Sequence, residues 1–137
     1  LILWQSFPYL LQHAQPPAQV DMSARYHLCP TSFEENCVLS GKRFVKDDVI
    51  ISLSDITAPQ IFAASCPAEA QLAKRGAARL VALLNDGSFA MRADEEPSPR
   101  PGHKSMLVTR DGKSLGLTLI KEGLARPLSA EPVDWCS

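Results

Sequence analysis

The chain of 137 residues lacks a long hydrophobic run, since no stretch of 18 apolar residues occurs in it. We therefore expect no transmembrane helix in this chain. It also lacks an excess of charge of either sign, with 14 basic and 15 acidic residues, so the overall charge does not indicate nucleic-acid binding. A Gly-rich phosphate loop, a Ser-His-Asp order and a zinc signature are missing as well. The length predicts one domain with a sizeable hydrophobic core.

Four cysteines are present, an even number for a small chain. We interpret them as two disulfides and expect an oxidising compartment. Of the three possible pairings we favour Cys29 with Cys37, ahead of the first strand, and Cys66 with Cys136, which would tie the C-terminal tail to a helix. The alternative is a metal site formed by His27, Cys29 and Cys37, although their spacing matches no common zinc pattern.

The first 20 residues differ in composition from the rest of the chain. Residues 1–11 are mostly apolar and lack the basic start of a signal peptide, and residues 12–20 have the composition of a linker. We expect an N-terminal apolar segment and Pro-rich linker over residues 1–20 and a single domain over residues 21–137. Residues 1–11 would pack on the domain or on a neighbour, and self-association through them is one hypothesis. A removed signal or membrane anchor ahead of them is another.

Two strands, over residues 38–45 and 49–54, are predicted on either side of a polar turn, because apolar and polar residues alternate in them. An irregular loop over residues 55–60 follows the second strand, and its proline cannot join a central ladder. We expect function to lie where this loop meets Ser40 and Gly41, which interrupt the first strand.

A helix over residues 66–84 is predicted by its apolar spacing, its early proline and the Asn-Asp-Gly sequence that ends it. The further elements are a strand over 89–92, an exposed charged loop over 93–104, a strand over 106–109, a helix over 114–122 and no regular structure from Arg126 until Trp135. This order predicts an α+β fold, a five-stranded OB-type Greek-key β-barrel with two to three helices.

Short motifs occur in a characteristic order over residues 37–126. They are VLSGKR at 38–43, SLSDITAPQ at 52–60, LLNDG at 83–87, PGH at 101–103, DG at 111–112 and EGLA at 122–125. Together with the order of the cysteines, which ends in Trp-Cys, these motifs resemble the staphylococcal nuclease (thermonuclease-like) family, in its exported bacterial type. The resemblance covers about two thirds of the chain and implies the OB-type barrel.

The resemblance also implies which positions would carry nuclease chemistry, which in the family is phosphodiester hydrolysis with bound Ca²⁺. The metal carboxylates fall at Lys42 and Thr57, and the glutamate that acts on the attacking water falls at Gln60. The two phosphate-binding arginines fall at Ser52 and His103. Ca²⁺ prefers several oxygen ligands that include carboxylates, and an amide cannot accept the proton of the attacking water. The site is therefore degenerate.

The aromatic residues that stack on the nucleotide base in the family are also missing, since their positions fall at Pro101, Ser129 and Glu131. A register shifted by two residues would make Asp55 a metal ligand, with Asp47 or Asp48 as a second carboxylate. That shift would misplace the proline of the following loop and would still provide no pair of arginines.

We therefore expect a catalytically inactive nuclease-like domain that acts as a binding module and needs no cofactor. Its ligand would be a protein partner or, more weakly, a nucleic acid or another anion. Lys42, Arg43 and His103 are the candidates for anion contact, and each also fits a solvated surface position. The alternative is a metal-dependent phosphodiesterase that hydrolyses DNA or RNA with Ca²⁺. The disulfides predict export to the periplasm or the extracellular space.

Overall fold

The computed structural model describes residues 18–19, 25–93 and 100–137 of the protein. Within these residues the strands are β1 (Ala18–Gln19), β2 (His27–Leu28), β3 (Cys37–Val38), β4 (Arg43–Lys46), β5 (Val49–Leu53), β6 (Ile56–Thr57), β7 (Ala90–Ala93), β8 (His103–Arg110), β9 (Lys113–Ser114) and β10 (Arg126–Pro127). The helices are α1 (Pro67–Asn85) and α2 (Leu115–Lys121). The fold is α+β, as the order of the predicted elements indicates.

Most of the strands belong to one curled, mixed sheet. Its order is β1-β7-β8-β5-β4-β3-β2, and β9 is attached to β8. The pairs β2–β3 and β5–β8 are parallel, and the other pairs are antiparallel. Strands β6 and β10 form a separate two-stranded sheet. The large sheet curls into a half-barrel that is compatible with an OB-like fold.

The hairpin of β4 and β5 follows from the residues of its turn. Asp47 and Asp48 have positive φ values of 54° and 60°, the conformation that a two-residue hairpin loop requires and that aspartate tolerates. Arg43 then faces Ser52 across the ladder. The predicted first strand is divided near Gly41 into β3 and β4, at the interruption that the sequence shows.

Helix α1 begins and ends close to the predicted residues. Pro67 occupies its first turn, and the Sγ atom of Cys66 accepts the N–H of Glu69 at 3.4 Å. At the other end, the side chain of Asn85 accepts the N–H of Tyr26 at 2.7 Å and donates to the Tyr26 carbonyl at 2.9 Å. The helix therefore holds the entry to β2. Its buried face consists of Glu69, Ala73, Gly76, Ala77, Leu80, Leu83 and Leu84.

Three aromatic rings lie in the core. The ring centroid of Phe44 is 5.8 Å from that of Tyr26 and 6.2 Å from that of Phe89, both edge-on, a favourable arrangement of aromatic rings. Burial, with the nearby Glu35 and Asp47 carboxylates, raises the pKa of the Tyr26 hydroxyl to about 12, so this hydroxyl stays neutral. The largest fully buried aliphatic side chains are Leu53, Ile56, Leu80 and Leu119.

Two segments differ from the sequence-based expectation. Strand β8 begins at His103, inside the expected loop, because residues 103–106 pair in parallel with β5. The chain beyond Arg126 was expected to be irregular, but Arg126 pairs with Thr57 in the small sheet. Proline at β10 is compatible with an edge strand, where its missing N–H leaves no gap in a ladder.

Parts of the N-terminal segment, of the linker and of the expected charged loop lie outside the described residues. Residues 1–17 and 20–24 are not described, nor are residues 94–99 of the charged loop. The prediction that residues 1–11 mediate self-association therefore falls outside the described part of the chain. Ala18 and Gln19, which the sequence places in the linker, pair with β7.

The structure contains both favoured disulfides. Cys29 is bonded to Cys37, with Cα atoms 4.7 Å apart, and Cys66 to Cys136, with Cα atoms 6.1 Å apart. The alternative metal site is wrong, because two of its sulfur atoms form a disulfide and the His27 ring contacts Glu34 at 2.9 Å. The disulfides are consistent with an oxidising compartment. No helix among the described residues has the length and apolarity that crossing a membrane requires.

Candidate functional site

A cleft of about 520 Å³ lies where the sequence predicts function, and we call it the central cleft. The turn between β3 and β4 and the loop after β6 meet there, as expected from the interruption at Ser40 and the loop that ends at Gln60. Its lining residues are Phe33, Leu39, Ser40, Lys42, Arg43, Thr57, Ala58, Pro59, Gln60, Ile61, Phe62 and Ala63.

The β3–β4 turn, from which Ser40 and Lys42 line the central cleft, closely approaches α1. A Cβ atom built on Gly41 would lie 3.2 Å from the backbone carbon of Gly76, which leaves little room for a side chain. The turn itself is closed by hydrogen bonds from the N–H of Leu39 to the carbonyl of Arg43 at 2.9 Å and from the N–H of Lys42 to Ser40 Oγ at 3.2 Å. Glycine at position 41 therefore brings the turn against the helix.

The ammonium group of Lys42 is directed into the protein. Its Nζ atom donates to the carbonyl of Ile56 at 2.7 Å. Burial lowers the pKa of Lys42, the neighbouring Arg43 lowers it further, and Asp55 acts in the opposite direction. This part of the cleft therefore already holds a cation that is supplied by the chain.

Arg43 is exposed and its guanidinium is oriented by Ser52. The two residues are partners in the β4–β5 ladder, and Arg43 Nε donates to Ser52 Oγ at 3.1 Å. Within the described residues, the terminal guanidinium nitrogens make no hydrogen bond. They remain available for an anion, which a guanidinium can bind with two parallel hydrogen bonds.

The loop after β6 is held by one buried carboxylate. Glu69, which is only 5% exposed, accepts the N–H of Gln60 at 3.0 Å and that of Ser65 at 2.8 Å. These two backbone hydrogen bonds lower the pKa of Glu69, while partial desolvation and the charge of Asp134 oppose the shift. Glu69 thus closes the loop at both ends and lies at the positive end of the α1 dipole.

Two exposed phenylalanines line the central cleft, and the sequence analysis did not identify either of them. Phe62, in the loop after β6, is 96% exposed, and Phe33, in the loop between Cys29 and Cys37, is 64% exposed. We call residues 29–37 the first wall of the cleft and residues 57–65 the second wall. A signal was present in the sequence, since each phenylalanine lies in a segment with no strand or helix periodicity that could bury it.

Thr57 and Gln60 lie in the second wall and line the same cleft as Lys42. Gln60 is exposed, and its backbone rather than its side chain makes the hydrogen bond to Glu69. Thr57 is held by the pairing of β6 with β10. Lys42, Thr57 and Gln60 therefore line one cleft, together with Arg43.

Asp55 does not face a second carboxylate. Its Oδ2 atom accepts a short hydrogen bond from the hydroxyl of Ser114, the N-cap of α2. A Cβ atom built on Gly116 would lie 2.5 Å from Asp55 Oδ1, so the carboxylate packs against the helix start. Asp47 and Asp48 lie beyond the other end of the five-residue β5, at a distance on the order of 16 Å along the strand. The shifted register therefore assembles no metal site.

The remaining predicted positions lie elsewhere. His103 pairs with Ile50 at the start of β8 and does not line the central cleft. Pro101 is exposed just ahead of it. Ser129 and Glu131 line a separate depression in the C-terminal tail. These residues provide neither a stacking surface nor a second anion contact for the cleft.

The donor set of the central cleft does not fit a Ca²⁺ ion. None of the described residues that line the cleft has a carboxylate, and hard cations are bound chiefly by carboxylates. Across the described part of the chain, no three His, Cys, Asp or Glu side chains are grouped as metal ligands. What the cleft offers is a guanidinium, hydrogen-bonding groups and two aromatic rings.

Comparison of the chain with protein-family models and with curated proteins gives no match.

Proposed function

We propose that this chain is a catalytically inactive domain of the staphylococcal nuclease-like type, and that it binds its ligand in the central cleft. The single observation that carries the proposal is the convergence of Lys42, Thr57 and Gln60 on that cleft. These are the positions at which the resemblance places two metal ligands and the catalytic glutamate. Their meeting in space supports the alignment of motifs, and their chemistry opposes hydrolysis.

The lysine at position 42, where the resemblance implies a metal carboxylate, has the greatest effect on metal binding in this proposal. Its ammonium group binds the carbonyl of Ile56 at 2.7 Å, so a positive charge occupies the region where a metal carboxylate is implied. A divalent cation nearby would meet a fixed like charge and would lack the carboxylates that determine its affinity. No metal-dependent step can be derived for this set of side chains.

The glutamine at position 60 leaves phosphodiester hydrolysis without its general base. A carboxamide has no basic site that can accept a proton from an attacking water at neutral pH. The described carboxylates nearest to the cleft have other partners, since Glu69 accepts two backbone N–H groups and Asp55 accepts the hydroxyl of Ser114. Both oxygen atoms of Glu69 accept a backbone N–H, and Asp55 does not line the cleft, so neither carboxylate is placed to act as a general base there.

Arg43 supports a remaining capacity to bind anions. The resemblance places a phosphate-binding arginine at position 52, where this chain has serine. The guanidinium of Arg43 reaches the same place from the neighbouring strand, through the 3.1 Å hydrogen bond to Ser52. In this proposal the domain therefore still binds a negatively charged group although it has lost catalysis.

The finer description of the fold belongs to the same proposal. We infer that the curled sheet is the five-stranded Greek-key barrel of the OB type, with short strand pairs added at its edges. We further infer that the domain acts after export, in the periplasm or outside the cell, where its two disulfides persist. Its ligand there is a protein partner, with nucleic acid as a weaker alternative.

A digestion assay tests the loss of catalysis. The purified chain is incubated with single-stranded DNA, duplex DNA and RNA, in Ca²⁺ or in a chelator, and we expect no cleavage above the protein-free rate in either condition. Calorimetric titration with Ca²⁺ should show no binding in the same preparation. Ca²⁺-dependent cleavage that disappears in Asp55→Ala, or in Gln60→Ala, which changes an exposed residue, would establish a working phosphodiesterase and overturn the proposal.

A further inference from the structure

We propose that the central cleft binds a short segment of a protein partner in which an apolar side chain lies next to a carboxylate, with the apolar side chain held between Phe33 and Phe62 and the carboxylate on Arg43. This inference rests on the binding function proposed above and names the ligand of that same site. The chemistry is that of an acidic, partly apolar peptide, and it follows from the walls, the charge and the size of the cleft.

The two aromatic rings provide the apolar part of the argument. Phe62 and Phe33 are 96% and 64% exposed, yet each lies on a loop that is held in place. The second wall is closed by Glu69 through two backbone hydrogen bonds. The first wall is closed by the disulfide from Cys29 to Cys37. Exposed aromatic rings on constrained loops lose little conformational entropy on binding, and exposed apolar clusters generally mark interaction surfaces.

The walls also restrict the kind of apolar group that fits. Leu39, Pro59 and Ile61 line the cleft together with the two phenylalanines. Such apolar side chains favour an aliphatic or aromatic group of the ligand. The volume of about 520 Å³ lies within the range of small-ligand pockets, so it admits a short segment and not a folded domain.

The charge of the cleft predicts the carboxylate of the ligand. In the part of the chain that the structure describes, no acidic side chain lines the cleft, whereas Lys42 and Arg43 both do. Lys42 donates inward to Ile56, so the outward-facing cation is Arg43. Its Nε is fixed by Ser52 and its terminal nitrogens are free of hydrogen bonds within the described residues. A planar guanidinium oriented in this way suits a carboxylate, which it binds through two parallel hydrogen bonds.

A peptide fits these observations better than a nucleic-acid strand does. A strand carries a phosphate on every nucleotide, and its affinity grows with the number of cations that contact phosphates. The cleft presents one outward cation, and the whole chain has a net charge of −1. One carboxylate beside one apolar side chain matches one guanidinium beside two aromatic rings.

Selection from a displayed library of random seven-residue peptides tests the inference on the intact, oxidised chain. We expect the wild-type protein to enrich peptides in which Asp or Glu lies within two positions of a large apolar residue. The charge-reversed variant Arg43→Glu should enrich Lys or Arg at that position instead. Arg75→Glu is the matched control, because Arg75 is exposed on α1 outside the cleft, and it should select the same peptides as the wild type.

Affinities of the best synthetic peptide then test the two rings separately. We expect Phe62→Ala and Phe33→Ala each to weaken binding by roughly five-fold or more, as truncation of aromatic contact residues does. Leu117→Ala is the control, since Leu117 is 51% exposed on α2 and does not line the cleft. It should change the affinity less than two-fold. Thermal unfolding of every variant checks that none of them alters folding.

Three outcomes would overturn the inference. These are selection of no peptide motif, selection of one motif by both the wild type and Arg43→Glu, and displacement of the peptide by oligothymidylate at lower concentrations than by unlabelled peptide. The last outcome would assign the cleft to nucleic acid. None of the three would restore catalysis, so the digestion assay continues to test the proposed function independently.

Discussion

The two walls of the central cleft are constructed alike but differ in burial. The first wall is closed by the disulfide of Cys29 and Cys37, the second wall is followed directly by Cys66 of the other disulfide, and a glutamate that accepts two backbone N–H groups helps to fix each wall. In the second wall Glu69 accepts those of Gln60 and Ser65 and is 5% exposed. In the first wall Glu35 accepts those of Asp47 and Asp48 and its side chain is 42% exposed.

This difference indicates which wall is the more rigid. A hydrogen bond that water can replace contributes little to stability, whereas a buried polar group that loses its partner costs considerably more. The second wall is also anchored to α1, the longest helix of the described residues, through Cys66 and Glu69. We therefore expect the second wall to hold Phe62 in place more firmly than the first wall holds Phe33.

Removing each disulfide gives the largest expected effect. In the chain-entropy treatment, the separation of 70 residues between Cys66 and Cys136 corresponds to roughly 4.4 kcal/mol, and the separation of 8 between Cys29 and Cys37 to roughly 2.6 kcal/mol, both as upper values. Urea unfolding of the paired alanine variants measures both. A larger loss for the shorter loop would show that the first wall, and not the second, depends more on its crosslink.

Gly41→Ala should have the next largest effect. The new Cβ would lie 3.2 Å from backbone atoms of Gly76, which cannot rotate away, so we expect a loss of about 1–3 kcal/mol. Gly76→Ala is the matched control across the same contact. Its Cβ would meet nothing closer than 3.7 Å, and alanine is favoured over glycine within a helix by about 1 kcal/mol. Equal destabilisation by both variants in urea unfolding would contradict the prediction that a side chain is tolerated at position 76 and not at position 41.

Acid should weaken the second wall through Glu69. The folded protein lowers the pKa of this carboxyl, so the stabilisation that it provides is present above its ordinary pKa and is lost as pH falls through the lowered one. We expect Glu69→Gln to reduce the melting temperature by a few degrees at pH 7 and to flatten its decline between pH 5 and 3.

Glu35→Gln is the control for that measurement, because it changes the exposed glutamate of the first wall. We expect a smaller loss of melting temperature than for Glu69→Gln at pH 7. An equal loss would mean that burial does not distinguish the two walls.

Truncating the exposed rings should have the smallest effect on stability. Phe62→Ala and Phe33→Ala remove side chains that are mostly in water, so each should change the free energy of unfolding by less than about 0.5 kcal/mol. Urea unfolding at pH 7 checks this. A loss above about 1.5 kcal/mol for either variant would mean that the ring packs on the protein, which would remove it from the ligand-binding argument.

Much of the fold could be predicted because its signals are local. The positive φ of Asp47 and Asp48 produces the hairpin, and Pro67 with Glu69 produces the start of α1. These preferences act between residues that are neighbours along the chain. The cysteine positions likewise favoured the pairing that the structure contains.

Contacts that depend on sheet register could not be predicted in the same way. The extension of β8 back to His103 required β5 as a parallel partner, and β10 required β6. Neither segment has an alternating pattern strong enough to be recognised alone, because its hydrogen bonds are made to strands that are distant in sequence.

In the candidate site, too, the residue types could be read from the sequence, whereas their arrangement in space could not. The sequence alone determined the groups that are present: an amine at Lys42, a carboxamide at Gln60 and a loop ended by Pro59. Folding then placed Arg43 over Ser52 and brought Phe33 and Phe62 to one cleft. The residue types specify which chemistry is unavailable, since no fold can make an amide into a base. What the cleft can bind depends on distances between side chains from separate loops, and those distances arise only when the sheet and its disulfides close.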